Sequence, residues 1–178
     1  MGRKLVLLLV AAALVAGTAD ARPRDDRAPL SSRVSGVPAL QDRVLTAIND
    51  LRKSNGLSEL TLNPALSLAA LGHSQSMAMH GYFTHEGWNG SPFWTRIKPK
   101  YRPQLGNRWF VGENLIWASP DLSADQAIQI WLDSAPHRKN LLTPAWREVG
   151  LGAVRALDAP GVYKGLDVTI LTADFGVR

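Results

Sequence analysis

The chain has 178 residues, no cysteine and a formal net charge of +5. That length suits one domain and lets a core form by packing alone, with no disulfide to help. The basic surplus is modest, and no basic helix or aromatic sheet motif accompanies it. It therefore favours anionic polymers outside the cell and argues against nucleic acid as a partner.

The first 21 residues read as a signal peptide. Arg3 and Lys4 precede an eleven-residue apolar run, Leu5 to Val15, and Ala19-Asp20-Ala21 fits a small-x-small cleavage site before Arg22. The run falls short of the roughly 20 residues a membrane span needs, which leaves an uncleaved anchor as the alternative. Cleavage after Ala21 would give a secreted or envelope-held chain. Removing Arg3, Lys4 and Asp20 leaves 18 basic against 14 acidic side chains. Residues 22–37, with Arg22, Arg24, Arg27, Arg33, Pro23, Pro29 and Gly36, have too little apolar surface to order themselves and read as a flexible basic leader.

The domain is expected over residues 38–178. Val44, Leu45, Ile48 and Leu51 mark the buried stripe of a helix from Pro38 to Ser54, stopped by Asn55-Gly56. Asn49 and Arg52 lie three apart on one side of it. Asn63 and Pro64 start a second helix, with Leu66, Ala69, Ala70, His73 and Met77 as its stripe and Gly81 as its end. His73 and His80 read as core histidines, since no carboxylate follows at ligand spacing. Tyr82 and Phe83 anchor the exit, and His85 opens a Gly/Asn/Ser-rich loop, the kind of segment that carries binding residues.

A short helix is expected from Ser91-Pro92 to Ile97. Lys98 to Trp109 reads as a solvated basic loop pinned by Tyr101 and Trp109, with sugar or anionic-polymer binding as the sharper alternative. Gly112 to Trp117 should be extended, and Ser123 to Ser134 helical, with Ser123 and Gln126 in capping-box spacing. Pro136 should stop or redirect that helix. Two strands follow, Val149 to Leu157 and Asp167 to Phe175, joined by a hairpin loop. Gly150 and Gly152 in the first signal a close backbone approach. Helices early and strands late give an α+β class.

Gly112-Glu113-Asn114 resembles the Gly-Glu-Asn signature of the CAP superfamily of cysteine-rich secretory, antigen 5 and pathogenesis-related 1 proteins. Trp131-Leu132-Asp133-Ser134-Ala135-Pro136-His137-Arg138 is similar to the Trp-x-x-Ser-x-x-His-Arg segment of its bacterial secreted branch. Asn49-x-x-Arg52, Phe83-Thr84-His85 and Val149-Gly150-Leu151-Gly152 match in the family's order, so the resemblance covers about Leu40 to Gly176. It implies a three-layer α-β-α sandwich with a central antiparallel sheet. It also implies a cleft of two histidines, His85 and His137, and two acids. One acid is Glu113, and Ser134 stands at the position of the other. Family members are also associated with sterol or lipid binding and with defence roles.

Three chemistries suit these residues. His85 and His137, with Glu113 as a third ligand or as an orienter, could hold a divalent metal such as zinc. Ser134, His137 and Glu113 are the residue types of a nucleophile, base and orienter, although no nucleophile elbow accompanies them. Alternatively Glu113, Ser134, Arg138 and the histidines form a polar network that fixes the cleft walls, with Asn114, Asn49 and Arg52 as further support. The reading that follows is a monomeric binding module for an extracellular peptide, lipid or anionic envelope polymer. A hydrolase of peptide or envelope polymer, metal-assisted or serine-type, is the alternative.

Overall fold

The computed structural model describes Pro29 and residues 33–105 and 108–178. The signal peptide and most of the leader lie outside the described residues. Strand β1 (Val34–Gly36) is followed by helix α1 (Pro38–Ser54), β2 (Thr61–Leu62), α2 (Pro64–His80), α3 (Trp94–Ile97), β3 (Phe110–Ala118), α4 (Ala124–Asp133), α5 (Ala135–Leu141), β4 (Glu148–Ala159) and β5 (Leu166–Val177).

The sheet runs β1-β4-β5-β3, antiparallel at each step. β2 adds two residues in parallel to β4, the one departure from an all-antiparallel sheet among the described residues. Val34–Gly36, which the sequence alone assigns to the leader, pairs with Val154–Ala156 of β4, so the ordered domain starts earlier than Pro38. A three-residue strand without apolar alternation leaves no readable pattern.

Side-chain alternation along the strands divides the core in two. Ile116, Ala118, Leu151, Ala153, Leu171, Ala173 and Phe175 pack with α1, α4 and α5 through Val44, Ile48, Ala127, Trp131 and Leu141. Leu115, Trp117, Val154, Val168 and Ile170 face the other way, onto Met77 and Ala78 of α2. The result is three layers: α2, the sheet, and the layer of α1, α4 and α5.

α2 lies unusually close to β4. A Cβ on Gly150 would stand 2.1 Å from the Leu66 carbonyl carbon, and one on Gly152 would stand 2.1 Å from the Leu71 nitrogen. The glycines thus let helix backbone meet strand backbone. The Ser74 hydroxyl then donates to the Gly152 carbonyl at 2.7 Å and pairs with the Thr172 hydroxyl at 2.8 Å.

The helix ends follow their local chemistry. The Asn63 side chain accepts from the Ala65 and Leu66 amides, and Gly81 closes α2 in the left-handed region at φ 69°. Ser123 and Gln126 form the reciprocal capping box of α4. Pro136 redirects the chain: as the second residue of α5, where no intrahelical donor is needed, it starts a new helix that carries His137.

Candidate functional site

The Gly-Glu-Asn stretch of β3 builds the site by pointing its side chains to opposite faces. Gly112 is bare because a Cβ there would press on Trp146 and on the Asn140 side chain. Asn114 faces the helical layer and donates to the His137 carbonyl at 3.0 Å. Asn140 donates to the Glu113 carbonyl at 3.0 Å and to the Asn114 side-chain oxygen at 2.9 Å. Trp146 donates its indole N–H to the Asn140 carbonyl. These bonds lash α5 to the free edge of β3 and fix where His137 starts.

Glu113 faces the α2 side, its side chain 1% exposed. Its Oε1 lies 2.7 Å from His85 Nδ1. Its Oε2 is in direct contact with Arg96 Nη2, and Arg96 Nη1 also donates to the His85 carbonyl at 2.8 Å. One guanidinium from α3 therefore neutralises the acid and ties down the histidine's backbone.

Asp174 of β5 is the direct cross-strand partner of Glu113, so both carboxyls stand on the same sheet face. Asp174 is fully buried, and neither of its oxygens has a hydrogen-bond partner among the described residues. Burial pushes its carboxyl up to about 7, against the pull of Arg96 and His85. His73 of α2 completes the group: its Nε2 lies 3.0 Å from the Thr84 carbonyl, and burial, aided by Arg96, drives it down to about 3.

His137 lies within electrostatic reach of His85. Burial lowers its proton affinity first, and a charge on His85 lowers it further. Its Nδ1 is buried, with no hydrogen-bond partner among the described residues. His85 is likewise lowered by burial, which outweighs the opposing pull of Glu86. Both imidazoles are thus held toward the neutral form.

The structure sorts the remaining sequence-predicted residues. Ser134 links α4 to α5 through its backbone; its side chain caps neither helix and makes no hydrogen bond to His137 among the described residues. Arg138 is exposed, with no side-chain partner among the described residues. Neither belongs to the polar network.

Arg52 sits outside the cleft but is wholly buried. It donates to the carbonyls of Ser58, Leu141 and Thr143, clamping the C-terminal end of α5 onto α1. Asn49 ties α1 to Leu60 through both its amide groups. His73 is a core histidine as expected. His80 is not: it is exposed, with its ring stacked on Trp88, because it falls on the solvent side of the last turn of α2.

Sequence reasoning misses Arg96, Asp174 and Asn140. Arg96 falls in the short helix before the basic loop, where no local pattern marks it as inward-facing. Asp174 leaves one usable signal, a carboxylate alone among the otherwise uncharged residues from Val168 to Val177, a run buried on both faces.

Residues 45–166 match the family described as the cysteine-rich secretory protein family, CAP. The uncharacterized protein YkwD of Bacillus subtilis is 30% identical over 128 residues, which cover 71% of this chain and 47% of that protein. An extracellular SCP-domain protein of Bacillus anthracis shares the fold at a TM-score of 0.61 and 24% identity, over 80% of this chain and 41% of the other. An outer surface protein of Borrelia burgdorferi does so at 0.63 and 20%, over 81% of this chain and 99% of the other. The chain spans less than half the length of the curated Bacillus relatives it matches. With the three layers, the Gly-Glu-Asn strand and the family match in agreement, this cysteine-free chain belongs to the cysteine-rich secretory protein, or CAP, family.

Proposed function

We propose that the chain acts outside the cell, as a monomeric module whose polar cleft at the β3 edge binds a ligand without turning it over. His85 and His137 are the residues there that would seat a divalent ion such as zinc. The observation that carries this is the bond between buried Glu113 and His85 Nδ1. A carboxylate on Nδ1 fixes the proton on that nitrogen and leaves the Nε2 lone pair as donor, the arrangement that orients metal-bound histidines.

The donor set fits a loosely held ion and not a closed site. Both oxygens of Glu113 are occupied by His85 and Arg96, so this carboxylate orients and does not ligate. Among the described residues no group of three or more His, Cys, Asp or Glu forms a metal site. Two imidazoles would leave the other positions of an ion to water or to a bound ligand. When bound, the ion would supply Lewis acidity at those open positions.

The apolar run Leu5 to Val15 supports export, as do relatives described as extracellular and outer surface proteins. Among the described residues no helix is long and apolar enough to cross a membrane. The ligand in this reading is an extracellular peptide, lipid or anionic envelope polymer.

Zinc titration by calorimetry on the wild type, His85→Ala and His137→Ala tests the metal assignment. Heat in the wild type and loss of it in both variants is the expected result. Burial lowers both imidazoles, so binding should persist below the ordinary histidine pKa before protons displace the ion. A silent wild type, or variants that bind as it does, would remove the metal from this cleft.

A further inference from the structure

The outer side of α3 carries a second surface, separate from the cleft. From Gly87 to Gly112 the chain holds Arg96, Lys98, Lys100, Arg102 and Arg108 and no acidic residue. Arg96 turns inward to Glu113. Lys98 and Arg102 are exposed and line an open groove of about 480 Å³ together with Trp94, Thr95, Pro99 and Pro103. Trp94 is 42% exposed. Arg102 Nε donates to the Pro99 carbonyl at 3.3 Å, which steadies the guanidinium at the rim. Among the described residues neither Lys98 nor Arg102 has a carboxylate within ion-pair distance.

We propose that this groove binds an anionic glycan. A bare anion would need the cations and leave the indole idle, while a neutral sugar would use the indole and leave the cations unpaired. The groove offers both: flat apolar faces from Trp94 and two prolines, and two positive charges at their side. That combination matches sugar rings bearing carboxylates or phosphates, with ring C–H faces on the indole and the charges at Lys98 and Arg102. Nucleic acid fits less well, because a single strand needs successive stacking platforms along its cationic track, and this groove has one indole. No cleft residue lines the groove, so glycan binding here is independent of any metal at the histidines.

The test is calorimetry of the full chain at low salt with oligogalacturonate as the carboxylate probe and phosphomannan as the phosphate probe. Neutral malto-oligosaccharide, polyglutamate and oligothymidylate serve as controls. At least one anionic glycan should bind, more weakly as ionic strength rises. Trp94→Ala and the double variant Lys98→Ala/Arg102→Ala should each weaken binding about tenfold, and Trp94→Phe should restore most of the first loss. Should Trp94→Ala lower the melting temperature, the double variant decides, since both of its side chains are exposed. The proposal is overturned if neither glycan binds, if the double variant binds like the wild type, or if a control binds as tightly as the glycans.

Discussion

Asp174→Asn keeps the shape of the side chain and removes its proton chemistry. In the folded chain this carboxyl is raised from its ordinary 3.8 to about 7, chiefly by burial. An acid raised in this way stabilises the fold fully below its unfolded pKa, and the contribution is lost as pH climbs through the folded value. A tenfold change in proton affinity is worth about 1.4 kcal/mol, so a rise of this size amounts to roughly 4 kcal/mol. Roughly 3 kcal/mol of that falls between pH 5 and pH 8 by linkage. Asparagine suffers no such loss. Urea unfolding of both proteins at the two pH values should therefore show the variant gaining on the wild type by roughly 3 kcal/mol from pH 5 to pH 8. His73 and His137 titrate in both proteins and largely cancel from the difference, while His85 feels the Asp174 charge and adds a smaller coupled part. A gap between variant and wild type that stays within about 0.5 kcal/mol across the two pH values would refute the reasoning, because Asp174 would then titrate alike folded and unfolded.

Two further outcomes follow from packing. Gly152→Ala drives a methyl into the α2 backbone at Leu71 and Ala70 and should cost about 3 kcal/mol or more. In calorimetry that appears as a melting point about 10 °C lower, and a fall under about 2 °C would contradict the close approach. Arg52→Leu leaves the carbonyls of Ser58, Leu141 and Thr143 without their donor and should cost about 3 kcal/mol or more by urea unfolding. Arg52→Lys should recover only part, since one ammonium cannot reproduce the guanidinium fork; full recovery would show that charge alone matters.

The architecture was legible because its signals are local. Asn63-Pro64, Gly81 and the Ser123–Gln126 box each act within one helical turn, and the structure ends the helices at those places. Gly150 and Gly152 were legible as a close approach, although the partner they make room for, α2, was not. The site was legible only in part. Glu113, His85 and His137 stand out because Gly-Glu-Asn, Phe-Thr-His and Ser-x-x-His are compact strings. Arg96 and Asp174 reach Glu113 across 17 and 61 residues of chain, and no local periodicity reports which buried acid a given arginine will find. Arg52 shows the same blindness from the other side. Its helical position looks solvated, yet α5 arrives from 89 residues away to cover it.

The placement of β1 has an orientational consequence. Its partners on β4 are Val154–Ala156, which stand level with Ala118 at the far end of β3, while Glu113 stands level with Gly150. The two points are three strands apart, about 14 Å, and five residues apart along the strand, about 16 Å. Arg33, just before β1, therefore stands near the corner of the sheet diagonally opposite Glu113, roughly 20 Å away. A tether fixed at the β1 corner would hold Glu113 and its histidine partner about that distance from the point of attachment.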